Sequence, residues 1–229
     1  MIQATNVSAI RAAVQQFGVA PGAQRMLDLE KKASEFSQEL GLYITWRIPT
    51  SQNDCTRVGP GSKCFCGHHF ETHNLKKRMN PCNDCRCNSF KFIPQRPEEV
   101  GEWWLVRRKE FDIRTYRVKC KCSHSHEEHD GVSLSCRVCG CFSFSSNFLC
   151  LVCDKHWEEH ETIYETEDER RRAGLTYGQG YTPLESQKDL QAAVFRPQPG
   201  KFVRKAPGPK NKSVGPRSIN MGPGVRKNK

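Results

Sequence analysis

The fold of this 229-residue chain is decided by the stretch Cys64-Phe-Cys66-Gly-His68-x4-His73, which is followed by Cys82-x2-Cys85-x-Cys87. The pattern returns as Cys120-Lys-Cys122-Ser-His124-x4-His129 and Cys136-x2-Cys139-x-Cys141, with the same offsets inside each half. A third stretch, Cys150-x2-Cys153-x2-His156-x3-His160, repeats the opening half alone. Thiolate and imidazole groups at such spacings are typical zinc ligands, and repetition argues against chance. The sequence therefore predicts several zinc sites.

The number of sites depends on how the ligands are shared. Each full copy supplies seven ligands, whereas a structural zinc takes four. Seven ligands fit two sites with one bridging thiolate, or one site with three spare groups. Cys55 would complete two sites in the first copy, and the third stretch either assists the second copy or forms its own site. The predicted metal ligands are Cys55, Cys64, Cys66, His68, His73, Cys82, Cys85, Cys87, Cys120, Cys122, His124, His129, Cys136, Cys139, Cys141, Cys150, Cys153, His156 and His160.

Two further histidines break the repeat, because His69 aligns with Ser125 and His126 aligns with Phe70. We expect both to be solvated surface imidazoles rather than ligands. Aromatic residues also follow the last cysteine of each copy, and we expect them to form small cores beside the metal. These residues are Phe90, Phe92, Phe142 and Phe144.

The composition supports a chain folded by its metals. Only 36% of the residues are hydrophobic, and 17 Gly and 13 Pro leave little material for a conventional core. A structural zinc site contributes about 10–16 kcal/mol of apparent binding free energy, which compensates for a small core. No apolar run approaches the length of a membrane span, and the first residues lack a secretory pattern. Thirteen cysteines in such a chain predict a reducing, cytoplasmic location and no secretion.

The net charge of +11 is concentrated at the C-terminus. Residues 196–229 contain ten Lys or Arg and no Asp or Glu, so residues 1–195 carry only about +1 (11 − 10). Six of the 13 prolines also lie there. We therefore expect residues 196–229 to form an extended, basic, Pro/Gly-rich tail that does not fold alone.

The predicted organisation is a small, irregular, zinc-stabilised α+β fold. Apolar spacing predicts one helix from Val7 to Gly18 and another from Pro21 to Gly41, with Met26, Leu29, Ala33, Phe36 and Leu40 along one stripe of the second. A short strand is expected from Leu42 to Ile48, and Thr166-x-x-Glu169 predicts a capping box before a short helix. The segments are an N-terminal helical part (1–41), a zinc-binding domain (42–165) with units at 55–95 and 120–160 and a hairpin insertion at 100–119, a helix and linker (166–195), and the tail (196–229).

The stretch from about residue 42 to residue 170 resembles the uncharacterised eukaryotic group named family with sequence similarity 221. The resemblance rests on the two Cys-x-Cys-x-His-x4-His motifs and on Trp46-Arg47-Ile-Pro49-Thr50, Asp54-Cys55-x2-Val58-Gly59-Pro60, Cys150-x2-Cys153 and Glu161-Thr-Ile-Tyr-Glu165-Thr. The Trp103-Trp104 insertion and the third stretch, with His156, depart from the family pattern. The resemblance implies metal binding and no established activity.

A catalytic site is not expected. His156-Trp-Glu158-Glu159-His160 fits the His-x-x-Glu-His pattern of inverted zinc peptidases. However, Cys150 and Cys153 beside it would close a Cys2His2 site, whereas a catalytic zinc needs an open position. The opening Cys-x-Cys also differs from the spacing of a RING domain, which disfavours a ubiquitin ligase.

Two binding functions are compatible with the sequence. The favoured one is a non-enzymatic zinc scaffold whose basic tail binds an acidic protein surface, with tubulin or an axonemal assembly in the cilium or cytoskeleton as a candidate partner and no membrane or small-molecule substrate. Nucleic-acid binding is the alternative, because Arg107, Arg108 and Lys109 lie beside Trp103 and Trp104. The plainer interpretation of that segment is a hairpin with a solvated basic face, whose tryptophans pack on the zinc core.

Overall fold

The described part of this computed structural model comprises residues 7–75 and 80–195. The predicted tail, residues 196–229, lies outside the described residues. Within them the chain is a small α+β fold, and no helix there has the length and apolar character needed to cross a bilayer. The helices are α1 (Val7–Phe17), α2 (Ala23–Leu40), α3 (Glu167–Arg172) and α4 (Lys188–Phe195), and the strands are β1 (Leu42–Arg47), β2 (Thr56–Arg57) and β3 (Glu161–Thr166).

The two N-terminal helices form where the apolar spacing predicts them, and glycines end both. Gly18 and Gly41 have φ values of +76° and +67°, and each donates its N–H to a carbonyl of the preceding helical turn. The buried face of α2 differs from the predicted stripe, since Leu40 is exposed and only Ala33 of that stripe is fully buried. Small residues there allow close packing: a Cβ on Gly59 would lie 3.0 Å from the Cα of Ala33. The buried residues of α2 are Leu27, Ala33, Ser34 and Ser37.

The sheet joins the start of the zinc-motif region to its end. Its order is β2-β1-β3, and both pairs are antiparallel. In the β1–β3 pair, Leu42 lies opposite Thr166 and Arg47 lies opposite Glu161. Because β3 begins directly after His160, this register brings His160 beside the loop that follows β1. Residues far apart in sequence can therefore share one site.

A buried network of charges fixes this junction. Arg170 of α3 is fully buried and donates to Asp54 at 2.6 Å and to Glu165 at 2.8 Å. Its Nε donates to the carbonyl of Thr176 at 2.7 Å. Arg47 of β1 donates to the other oxygen of Glu165 at 2.6 Å. Two guanidinium groups thus neutralise two carboxylates, which satisfies the requirement that buried charges be paired.

The α3 helix begins with the predicted capping box. The Thr166 hydroxyl accepts from the backbone N–H of Glu169, whose carboxylate accepts from the backbone N–H of Thr166 at 2.7 Å. The segment predicted to be a linker after α3 contains the helix α4, which packs against α1. Tyr181 in the same segment is fully buried and lies edge-on to Tyr43, with 4.9 Å between ring centroids. Residues 176–195 therefore belong to the fold.

The predicted hairpin at residues 100–119 is wrong. Within these described residues the chain forms a 3-10 helix at Leu105–Arg107 and turns, with no strand. Local polar bonds are the physical reason: the Asp112 carboxylate accepts from the backbone N–H of Arg114 at 3.0 Å, which closes a turn where the second strand was expected. Trp103 and Trp104 are 42% and 46% exposed, so they do not pack on the metal-motif core.

Candidate metal centres

The Cys and His side chains converge in five groups within the described residues, and the ligand atoms of each group lie within 4.8 Å of one another. All thirteen cysteines are free thiols. Three groups, called the inner groups, have mostly buried ligands. Two others, called the outer groups, each include one exposed cysteine. The inner groups are Cys64–Cys66–His73–Cys87, Cys120–Cys122–His129–Cys141 and Cys55–Cys150–Cys153–His160, and the outer groups are Cys66–His68–Cys82–Cys85 and Cys122–His124–Cys136–Cys139.

In each full copy one cysteine belongs to both groups. The sulfur of Cys66 lies 3.6 Å from Nδ1 of His68 in the outer group and 3.7 Å from Nε2 of His73 in the inner group. Cys122 is the equivalent residue of the second copy, and its sulfur lies 3.7 Å from Nε2 of His129. Seven ligands could form two groups that share a thiolate, or one group with three spare residues. The structure has the first arrangement, with two four-ligand groups in each full copy.

The third stretch forms one group, and Cys55 completes it. Cys153 Sγ lies 3.1 Å from Nε2 of His160, and Cys55 is brought in by the loop between β1 and β2. Cys55 therefore serves this group and not the first copy. His156 is the one predicted ligand that the described groups do not include, since its Nδ1 lies 3.2 Å from the hydroxyl of Ser146.

The repeat register explains why His156 is not in a group. When the three stretches are aligned on their last histidine, Lys155 occupies the position of His68 and His124. His156 then falls on the position of His69 and Ser125, one residue too late to ligate. The third stretch lacks the histidine of an outer group, so it has an inner group alone.

The same local backbone places the last histidine of each stretch. A short 3-10 helix precedes it, at Phe70–Thr72, His126–Glu128 and Trp157–Glu159. The ring Nδ1 then donates to the carbonyl four residues upstream, at 2.9 Å for His73 and at 2.7 Å for His129 and His160. Such bonds fix the ring and its tautomer, and they leave Nε2 free to bind a metal.

Backbone N–H groups also support the sulfurs of the inner groups. Lys91 and Ser145 occupy equivalent positions after the last cysteine of each copy, and each donates its backbone N–H to a buried sulfur at 3.3 Å, that of Cys64 and that of Cys120. These bonds stabilise a thiolate, which is the form that binds metals.

The crowded sulfurs strongly change each other's proton affinity. The hydrogen bond with Cys55 lowers the pKa of Cys150 to about 4, and the same contact raises the pKa of Cys55 far above its usual range. In the first copy the contact with Cys64 raises the pKa of Cys66 and lowers that of Cys87. Two adjacent thiolates repel each other unless a cation lies between them. A divalent metal ion supplies that charge, so the residues fit a metal.

His126 belongs to the core, so its predicted surface position is wrong. It occupies the repeat position of Phe70 and Trp157, and all three side chains are buried. Its ring packs against Phe65 at 5.8 Å between centroids, and neither ring nitrogen has a hydrogen-bond partner among the described residues. Burial lowers the pKa of His126 to about 4, which keeps the ring neutral. His69, by contrast, is exposed as predicted.

The aromatic residues after the last cysteines divide into two kinds. Phe90 and Phe144 lie at equivalent positions and are 3% and 1% exposed, which agrees with small cores beside the metal groups. Phe92 is also buried. Phe142 is 95% exposed, so its predicted core position is wrong. Its equivalent in the first copy is the polar Asn88.

The fold and these groups define a small α+β protein with repeated Cys/His centres that could hold metal ions. A family model described as Protein FAM221A/B matches residues 23–102 and 111–192. The chain belongs to the FAM221 family. The unmatched residues 103–110 contain Trp103 and Trp104, which agrees with the expected departure of this insertion from the family pattern.

Named relatives match 60–69% of this chain. Protein FAM221B of Rattus norvegicus is 50% identical over 155 residues, which are 65% of this chain and 31% of that protein. Protein FAM221B of Homo sapiens is 47% identical over 167 residues, 69% of this chain and 41% of that protein. Protein FAM221A of Xenopus tropicalis is 32% identical over 149 residues, 60% and 44% respectively. The chain thus spans less than half the length of these relatives. No solved structure matches it.

Proposed function

We propose that this chain is a non-enzymatic zinc scaffold, folded by five zinc ions, that presents a basic tail to an acidic protein partner. The observation that carries the proposal is that every group in the described residues offers four donors, a complete set for structural zinc. Each group offers three thiolates and one imidazole, and in the first two copies one thiolate is shared between two groups. Such soft donors suit zinc better than calcium or magnesium.

The distances between donors support zinc. Tetrahedral zinc with Zn–S bonds of about 2.3 Å and Zn–N bonds of about 2.0–2.1 Å places two sulfurs about 3.8 Å apart, and sulfur and nitrogen about 3.5–3.6 Å apart. Cys64 Sγ and Cys87 Sγ are separated by 3.8 Å. The distance between Cys141 Sγ and His129 Nε2 is 3.6 Å. The two donors of each pair therefore need little movement to bind the ion of their own group.

The closed donor sets favour a structural role over catalysis. A catalytic zinc keeps one position for water or substrate, and four protein ligands leave none. The two histidines of the peptidase-like motif fall in different environments, because His156 faces Ser146 whereas His160 belongs to an inner group. Glu159, the acid of that motif, accepts from the backbone N–H of His156 at 3.0 Å and serves as a cap.

The partner part of the proposal rests on charge. The ten cations and absent anions of residues 196–229 suit an extended acidic surface, and apolar residues such as Phe202, Val203 and Ile219 are spaced among them as anchors. The microtubule is an abundant acidic filament of the cytoplasm, which makes tubulin or an axonemal assembly the candidate partner and the cilium or cytoskeleton the candidate location.

Cosedimentation with microtubules tests this partner. The zinc-loaded full chain is expected in the pellet, and a chain ending at residue 195 is expected in the supernatant. A matched control replaces Phe202, Val203 and Ile219 by Ser and keeps every tail charge. Comparison with the full chain then shows how much of the binding depends on these apolar residues and how much on charge. Equal pelleting of the full chain and the truncated chain would refute the tail as the docking element.

A second candidate function, nucleic-acid binding, is favoured by the exposure of Trp103 and Trp104. Arg107 lies over the Trp103 ring at 5.0 Å from its centroid, so cation and stacking surface are adjacent. Anisotropy titration of a labelled single-stranded RNA should show affinity that falls steeply with salt and is lost in Trp104→Ala. Phe142→Ala, which removes an exposed aromatic elsewhere, is the control. If Trp104→Ala and Phe142→Ala bind the RNA with equal affinity, the surface around Trp104 is not the RNA-binding site.

A further inference from the structure

We propose that the two outer groups hold exchangeable zinc, which the protein releases to small chelating acceptors, whereas the three inner groups hold the zinc that folds the chain. This inference rests on the proposed zinc scaffold and adds a second role to its sites. Four separate observations support it: ligand exposure, the support of the histidine rings, the backbone around the outer ligands, and an open cavity.

Exposure separates the two classes of group. Each outer group contains one exposed cysteine, Cys85 or Cys139, and a half-buried histidine, His68 or His124. No inner group contains an exposed ligand, and every member is described. In the first copy the inner ligands Cys64, His73 and Cys87 are 0%, 3% and 4% exposed. Because an outer group has one exposed and two half-buried ligands, a competing ligand approaches an outer ion more readily than an inner ion, whose ligands are buried or half-buried.

The histidine rings of the two classes are held differently. Each inner histidine donates its second ring nitrogen to a backbone carbonyl. The Nδ1 atom of His68 lies 3.6 Å from the sulfur of Cys66 in its group, and the Nδ1 atom of His124 is buried without a hydrogen-bond partner among the described residues. Their Nε2 atoms have no carbonyl partner in the described part of the chain. Loss of such outer-shell support lowers metal affinity about 10–100-fold.

Backbone hydrogen bonds close the turn that carries two ligands of each outer group. The N–H of Cys82 donates to the carbonyl of Cys87 at 3.0 Å, and the N–H of Cys136 donates to the carbonyl of Cys141 at 2.9 Å. Cys87 and Cys141 also belong to the inner groups, so an inner ion anchors the same turn. When an outer ion leaves, the shared thiolate stays on the inner ion, and the other two sulfurs take up protons. The fold is retained.

A cavity gives an acceptor room beside the first outer group. It has a volume of about 400 Å³. Its lining includes the outer ligands Cys66, His68 and Cys85, the inner ligands Cys87 and His129, and the charged residues Arg86, Arg137, Glu127 and Asp130. The two arginines of the lining donate to the carboxylate or thiolate of a small chelator, and the two acidic residues offset their positive charge. The third stretch has Lys155 where an outer histidine would stand. Only two of the five sites therefore exchange.

The test is zinc transfer from the loaded full chain to the chromophoric chelator 4-(2-pyridylazo)resorcinol, followed together with circular dichroism. We expect two equivalents to leave about tenfold or more faster than the other three, with the dichroism spectrum unchanged during the fast phase. His68→Ala and His124→Ala should each remove one fast equivalent and keep three slow ones. His73→Ala, the matched inner control, should instead reduce the slow phase and the dichroism signal.

The outcomes separate this inference from the zinc scaffold itself. Five equivalents that leave in one phase, together with loss of the spectrum, would overturn the exchangeable class and leave the scaffold intact. The same conclusion follows if His68→Ala or His124→Ala loses all zinc and unfolds. A full chain that binds no zinc would overturn the proposed function and with it this inference.

Discussion

Replacement of Arg170 by Ala tests the junction that holds the third metal group. The guanidinium is fully buried and donates to Asp54 at 2.6 Å, to Glu165 at 2.8 Å and to the carbonyl of Thr176 at 2.7 Å. Its removal leaves two buried carboxylates with one remaining cationic partner. Breaking a buried ion pair in this way typically costs about 3–5 kcal/mol. Because Asp54 precedes Cys55, we also expect weaker zinc binding by the Cys55 group.

The neighbouring Arg171 supplies a matched control. Its side chain is 55% exposed and bonds to Glu167 and Asp168 within α3, so Arg171→Ala should leave the free energy of unfolding almost unchanged. Urea unfolding of both variants at one buffered free-zinc concentration, followed by circular dichroism, gives the two free energies of unfolding under equal ligand linkage. If the two variants unfold within about 1 kcal/mol of each other, the buried network does not stabilise the junction.

Two further predictions concern histidines that the repeat assigns to different roles. His126→Phe should leave the free energy of unfolding equal or raise it by up to about 1–2 kcal/mol, because the change removes buried ring nitrogens that have no partners among the described residues. Phe70→His places such nitrogens at the equivalent position and should lower the free energy of unfolding by about 1–3 kcal/mol. If urea unfolding shows His126→Phe to be the less stable of the two variants, the two residues do not share a core position. His156→Ala should keep the zinc count of the unchanged chain in native mass spectrometry, and His160→Ala should lose one ion. Loss of an ion from His156→Ala alone would place that ring in the site.

The elements with local signals could be predicted from the sequence. The helix ends at Gly18 and Gly41 and the capping box at Thr166 depend on residues within one turn of each other, and the structure confirms them. The offsets of the Cys/His copies also indicated candidate ligands, most of which lie in the Cys/His groups of the structure. Offsets alone left the shared thiolate undecided, because sharing depends on where the sulfur of Cys66 or Cys122 lies between two histidines.

The features that sequence reasoning missed depend on distant contacts. Cys55 joins the third stretch because β1 pairs with β3. No local sequence pattern predicts that pairing. In the sequence Arg170 is one of three adjacent arginines with nothing to distinguish it. It is the buried one of the three, because the carboxylates of Asp54 and Glu165 both accept from it. For His126 a usable signal existed: its alignment with the aromatic Phe70 already indicated a core position.

Native mass spectrometry of the full chain, purified without denaturant, tests directly whether zinc ions fold it. Five zinc ions per chain are predicted, one for each group, together with loss of the dichroism spectrum when a strong chelator removes them all. If a metal-free chain kept its spectrum and its urea stability, zinc would not fold the protein, because metal binding by the Cys/His groups would then be dispensable for the fold.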